Sequence, residues 1–343
     1  MAGPPVAFSA LPLVRNDGDD AAAPKRLNAW GAYGADDELG FLNRQTPSII
    51  AAAASSEIKT GIRVLLDAPL DFQKANSNQP LFHRQAFVKN VYQKKPRIVH
   101  DETWTLNTQS SSQWDGLRHY GYQAAARFYN NVTVDDIAGV GPTRGHSNPD
   151  ILGIQNMARR GGVTGRGILV DFARWAATTE EGKRDVGGGF NSFESTDIKL
   201  DWLKKTLAHQ GTEVHFGDIL IVRSAFFPAF RALTTGQLAA LQEMRSPGLG
   251  GVEQSDQVLE WIWNNFSAVA SDHPSFERWP SRYDWSMHEV LLAGWGCNIG
   301  ELFDLEELSR ECERQGRWSF FVSSVPCHVP GGVASPPNAV AIF

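Results

Sequence analysis

Apolar residues recur along this chain with two different periods. In "STDIKLDWLKKTLAHQG" they fall three to four apart, at Ile198, Trp202, Leu203 and Leu207, which predicts an amphipathic helix closed by Gly211. "SDQVLEWIWNNFSAVASD" repeats that spacing at Val258, Trp261 and Ile262 and predicts a second helix with those three facing inwards. "GRGILVDFARW" and "GDILIVRSAF" instead carry almost unbroken apolar runs, Ile168 to Phe172 and Ile219 to Val222. Runs of this length predict strands covered on both faces. Strands alternating with helices make an α/β protein the expected class.

Local punctuation adds further elements. Thr46-Pro47 is a helix start, with Thr as N-cap and Pro at the first helical position, and an Ala-rich helix is expected to about Ser55. "GIRVLLDAPL" predicts a strand ended by Pro69, and Lys89 to Thr108 reads as mostly extended. "AAARFYNN" predicts a short helix. "NPDILGIQNMARRGG" predicts another, with Ile151, Ile154 and Met157 on one side and Gly161-Gly162 as its stop.

The candidate chemistry follows the extended stretch, in "TQSSSQWDGLRHYG". Here Gln109, Gln113, Asp115 and His119 stand among residues that favour burial, so the segment is either a polar turn or the lining of a site. On an extended backbone Gln109, Gln113 and Asp115 share one face, and Gly116 permits a bend that returns His119 over it. Downstream, "WSMHEVLLAGWGCNIGELFDLEEL" places His288 on a helix that Gly294, Gly296 and Gly300 break, with Glu301 directly after the break. An imidazole and a carboxylate beside such a bend suit Mn²⁺, Zn²⁺ or Mg²⁺. Trp114, Trp104, Tyr120 and Phe128 offer either a wall for a flat substrate or ordinary packing. Arg118 could grip a substrate carboxylate or form a structural ion pair.

Composition narrows the partners. The 343 residues are 42% hydrophobic and carry a net charge of −6 with no basic run, so a phosphate backbone is not an expected ligand. No apolar stretch approaches the ~20 residues that span a bilayer. Residues 1–25 lack a basic region before their apolar run, and they are expected to form a flexible arm on a cytoplasmic protein whose single domain covers 26–343. Cys297, Cys312 and Cys327 fit no zinc spacing and no disulfide framework. Cys297 is a nucleophile candidate, with a buried structural thiol as the expected reading. His273 and His328 read as loop or surface histidines, and Arg166 as a structural pair. "GVGPTRG" and "DVGGGF" do not match a phosphate loop, so no nucleotide cofactor is expected.

From about Trp30 onward, "WGAYGADDELGFLNRQTP", "SSQWDGLRHYG", "GRGILVDFARW", "GDILIVRSAFF", "MHEVLLAGWGCNIGELFDLEEL" and "VPCHVPGGVASPPNAVAI" together resemble the cyclase family of metal-dependent amide hydrolases. Kynurenine formamidase and isatin hydrolase belong to that family. The resemblance implies a swivelling β/β/α-type domain with a central mixed sheet or barrel and surrounding helices, and a homodimer or homotetramer. The family signature is His, three residues, His, one residue, Asp, three residues, His. Here it falls on Gln109, Gln113, Asp115 and His119, with His288 and Glu301 matching the later His and Glu. The resemblance therefore implies Gln109, Gln113, Asp115, His288 and Glu301 as holders of a divalent metal (Mn, Zn or Mg), and His119 with Asp115 as the catalytic pair. Trp114, Arg118 and Trp104 are the expected substrate contacts. Two of the metal-binding histidines are amides, which are weaker donors and favour a harder ion. The implied activity is hydrolysis of a small cyclic or aromatic amide, imide or lactone in secondary metabolism. A metal-independent cyclase or dehydratase using His119 and Asp115 is the second reading, and a non-catalytic small-molecule binding protein the third.

Overall fold

The apolar runs around Ile168 and Ile219 form the middle of a large sheet in the computed structural model, which describes residues 3–13, 26–74, 80–138 and 150–343. Among these residues the strands are β1 (Arg63–Leu65), β2 (Val88–Gln93), β3 (His100–Thr105), β4 (Gln113–Asp115), β5 (Val163–Val170), β6 (Asp197–Ile198) and β7 (Asp218–Val222). They continue with β8 (Gly251–Val252), β9 (Phe266–Ser271), β10 (Ile299–Glu301), β11 (Ser319–Ser324), β12 (Ala334–Ser335) and β13 (Ala339–Ile342). Nine of them join in the order β1-β13-β11-β5-β7-β9-β10-β4-β12. The centre, β5 to β10, is parallel, and β11 and β4 flank it antiparallel.

Side chains of a strand alternate between faces, and here both faces are covered. Ile168, Val170, Leu220 and Val222 enter one apolar layer, while Leu169, Ile219 and Ile221 enter the other. Burying each such side chain stabilises by about 1.5–3 kcal/mol, so the parallel centre is a firm base for whatever its strand ends carry. This is a mixed α/β domain with a central sheet and surrounding helices, as the sequence leads one to expect.

Capping chemistry sets several helix ends. Thr46 caps Pro47–Glu57 by accepting from the Ile49 N–H at 3.3 Å. Leu200–Gln210 ends on Gly211 at φ 61°, and Gln155–Arg160 ends on Gly161 at φ 96°. Left-handed closures of this kind favour glycine.

Other elements depart from expectation. Phe172 ends no strand; it opens the helix Phe172–Thr178, which the Asp171 side chain caps. The helix beginning at Asp256 stops at Asn265, and the remaining "FSAVAS" is the buried strand β9. Leu259 and Trp263 take inward places on that helix, while Trp261 is half-buried against Phe266. A short, fully apolar run beside a helical stripe has no period of its own to separate strand from helix. "AAARFYNN" is helical only as a three-residue 3-10 turn, Tyr129–Asn131; the part before it forms turns, because Arg127 bridges to Tyr122 and Thr133 and Ala126 lies at φ 49°.

Residues 3–13 of the expected arm lie against the body. The Val6 carbonyl accepts the Trp263 indole N–H at 3.0 Å, and Phe8 meets Trp295 edge-on. Residues 1–2 and 14–25 of that arm, and the "GVGPTRG" stretch, lie outside the described residues. No helix among the described residues is long and apolar enough to cross a membrane.

Candidate active site

β4 and β10 lie antiparallel, with Gln113 opposite Glu301 and Asp115 opposite Ile299. Strand alternation sends Gln113 and Asp115 to one face and Trp114 to the other. Trp114 is 1% exposed, packs edge-on against Phe303 and donates its indole N–H to Ser324 Oγ at 2.8 Å. It braces the strand from behind, which corrects the expectation that it touches substrate.

On the front face the amides form a chain. Gln109, in the turn before β4, donates through Nε2 to Asp115 Oδ1 at 2.5 Å, and its Oε1 accepts from Gln113 Nε2 at 3.1 Å. Gln113 Nε2 also donates to Glu301 Oε2 at 2.6 Å. The Gln109 carboxamide is thus committed to its neighbours, whereas Gln113 Oε1 and Asp115 Oδ2 are buried without a hydrogen-bond partner among the described residues.

The bend at Gly116 forms, with the His119 N–H donated to the Gly116 carbonyl at 3.0 Å. It brings His119 Nε2 to 3.9 Å from Asp115 Oδ2. His288 opens a π-helical turn, Glu289–Gly294, and its Nε2 stands 3.8 Å from that oxygen and 3.1 Å from Glu301 Oε1. Its Nδ1 faces Glu277, 2.9 Å from Oε1 and 2.8 Å from Oε2, and its backbone N–H donates to Glu277 Oε1. One ligand atom each from Asp115, His119 and His288 lies within 4.8 Å of the others, a set that can hold a metal ion.

Electrostatics separate the roles of these groups. Burial opposes charge on His288, but Glu277 and Glu301 outweigh it and hold the imidazole pKa well above the usual value. Burial and Asp115 push Glu301 up to about 7, against the pull of His288 and Arg84. Burial lowers the pKa of His119; Asp115 raises it, and His288 and Arg84 lower it further.

The remaining expected contacts stand elsewhere. Arg118 donates to the Ile151 carbonyl at 2.5 Å and the Gly331 carbonyl at 2.9 Å, so it fastens loops instead of facing substrate. Trp104, on the β2–β3 ribbon, is 55% exposed and packs on Phe87. Tyr120 is the aromatic residue at the site, its ring centroid 5.5 Å from that of His288. His273 lies in the loop after β9 but is fully buried there and bonded to Ser224 Oγ at 2.7 Å, whereas His328 is exposed. Burial pushes the Cys297 thiol up to about 12, which suits a structural thiol. Glu277 and Arg84 carry no spacing signal. They arrive from loops, and only the fold brings them to the site.

No family model and no curated protein matches the sequence. Solved structures do. The chain is similar to a novel cyclase known from its crystal structure, with 31% identity, 93% of this chain and 100% of that one covered, and a TM-score of 0.75. It shares its fold with isatin hydrolase A from Ralstonia solanacearum, at 14% identity, coverage of 87% and 97%, and a TM-score of 0.52. It shares it also with an isatin hydrolase bound to the product analogue thioisatinate, at 13% identity, coverage of 85% and 95%, and a TM-score of 0.53.

Proposed function

The chain belongs to the cyclase family, and from that premise we propose that it hydrolyses a small cyclic or aromatic amide, imide or lactone with the help of a divalent metal ion. The observation that carries this reading is Asp115 Oδ2, buried, without a hydrogen-bond partner among the described residues, and lying between the Nε2 atoms of His119 and His288. A buried acceptor left unmatched costs roughly 1–3 kcal/mol, and Gln113 Oε1 repeats the pattern beside it. A cation at this point meets both needs, so the residues present fit the ion. Asp115 and His288 would hold it, with Gln113 Oε1 and Glu301 as further oxygen donors. Gln109, whose oxygen is already taken, instead fixes Asp115 Oδ1 and leaves Oδ2 free to bind. Carboxylates, an amide oxygen and imidazole suit Mn²⁺, Zn²⁺ or Mg²⁺.

When bound, such an ion supplies Lewis acidity towards water and a carbonyl. The chain itself supplies the proton transfers. His119 is the most exposed member of the trio, with 21% of its side chain accessible, and burial lowers its pKa, so it is neutral near pH 7. Its Nε2 takes a proton from the attacking water and returns it to the leaving nitrogen or oxygen. Glu277 sets the ring of His288 through Nδ1, the role that a carboxylate behind a metal-binding histidine generally plays.

One observation favours the second reading, a metal-independent cyclase or dehydratase. With His288 charged, its hydrogen bonds to Glu277 and Glu301 close that side of the network without an ion. Elemental analysis of the purified protein and its Asp115→Asn variant separates the two. Near-stoichiometric Mn, Zn or Mg in the parent, at least tenfold less in the variant, is the expected result. Metal in neither protein overturns the hydrolytic mechanism and leaves His119 and Asp115 as an acid-base pair.

A further inference from the structure

Arg84 follows a short turn, Leu81–His83, in which two successive non-glycine residues are left-handed: Phe82 at φ 60° and His83 at φ 55°. Strain of this kind persists only where the surroundings hold it. The holding residue is Gln73, buried, which accepts from the Leu81 N–H at 2.8 Å and donates to the Ser110 carbonyl at 2.7 Å. Arg84 itself donates one N–H to the Gln109 carbonyl. The strained turn is thereby fastened at two points to the segment that carries the site amides.

Through its bond to that carbonyl the guanidinium is held at the backbone of Gln109, whose side chain donates to Asp115. Glu301 and Asp115 act on its charge, and it acts on His119. Yet among the described residues no carboxylate lies within ion-pairing distance of it, and its remaining N–H groups find no partner. Two other inward-turned arginines are engaged differently: Arg223 is paired with Asp171 and Glu306, and Arg118 donates to backbone carbonyls. Burial pushes the Arg84 pKa down, but an arginine under such pressure remains charged. A half-buried cation, held at one N–H by the Gln109 carbonyl and with the rest of its fork open, matches the two oxygens of a carboxylate. The Phe82 ring lies 4.8 Å below the guanidinium and the half-buried Tyr120 ring borders His288, so apolar faces for a flat group stand at hand.

We propose that Arg84 makes this site a receptor for aromatic substrates that carry a carboxylate, which the guanidinium grips away from the scissile bond. The inference rests on reading the Asp115, His119 and His288 cluster as the active site, but its test needs no turnover. Calorimetric titration of the full-length protein with benzoate and with neutral, isosteric benzamide reads the preference directly, on the parent, Arg84→Gln, Arg84→Lys and Asp115→Asn. The parent is expected to bind benzoate at least tenfold more tightly than benzamide. Arg84→Gln should lose that preference to within twofold, and Arg84→Lys, which keeps the charge without the fork, should retain an intermediate one. Equal affinities in the parent, or an undiminished preference in either Arg84 variant, overturn the proposal. A preference kept in Arg84→Gln but lost in Asp115→Asn assigns the carboxylate to the metal and likewise overturns it. If instead no amide or lactone is hydrolysed while Arg84 governs benzoate binding, the hydrolytic reading falls and this one stands.

Discussion

Glu277 is fully buried and spends its carboxylate on one residue, taking both the Nδ1 side and the backbone N–H of His288. Its effect on the site must pass through that imidazole: it fixes the ring and raises the basicity of Nε2, the atom turned towards Asp115 and Glu301. Replacing Glu277 by Gln keeps the volume but removes the charge and one acceptor. The expected outcome is a 10–100-fold loss of affinity for Mn²⁺ or Zn²⁺, measured by competition with a chelating dye, in a protein with unchanged circular dichroism. Unchanged retention would mean that His288 is no ligand. Glu277 was not legible beforehand, because nothing periodic links a loop carboxylate to a histidine eleven positions on. The parity of Gln113, Trp114 and Asp115 was legible. The alternation that groups the two polar residues also turns Trp114 away, and aromatic proximity in sequence misassigned it.

At the scale of elements, β10 ties the site together, and its middle residue decides whether it can. Gly300 lies between Ala270 of β9 and Trp114 of β4. A Cβ added there would come within 2.7 Å of the Ala270 Cβ, 2.8 Å of Phe303 Cε2 and 3.0 Å of Trp114 Cζ3. None of these groups is a flexible side-chain end, so Gly300→Ala should destabilise the protein by about 1–3 kcal/mol. Because Glu301 is the next residue, metal content should fall with it. Thermal unfolding of the variant checks the first effect and elemental analysis the second; an unaltered melting temperature would show that the strands can separate freely. The central strands β5 and β7 were readable from their apolar runs. β9 was masked by the helix that runs into it, and β10 is three residues long with a glycine inside, too short for any period to register.

At the scale of the whole molecule, distant parts of the chain meet at Asp67. It bridges to Phe303 just beyond β10, and its carboxylate accepts the Ala339 N–H at the start of β13 at 2.9 Å. Burial raises its pKa from 3.8 to about 6, against the pull of the Ala339 and Asn338 backbone. A carboxyl whose folded pKa lies above its unfolded one favours folding when protonated. That contribution is complete below about pH 4 and is lost as the pH rises through about 6. Asp218, also raised to about 6, adds a loss of the same sign over the same range. Asparagine at position 67 can accept the same backbone N–H and has no charge to desolvate. Asp67→Asn is therefore expected to exceed the parent in stability by about 1 kcal/mol at pH 8, a figure discounted for the partial exposure of the site, and to match it near pH 4. Urea unfolding at the two pH values measures this. A variant no more stable than the parent at pH 8 would mean that the carboxylate is hydrated in the folded state, and that the junction of β1, β10 and β13 is open to water.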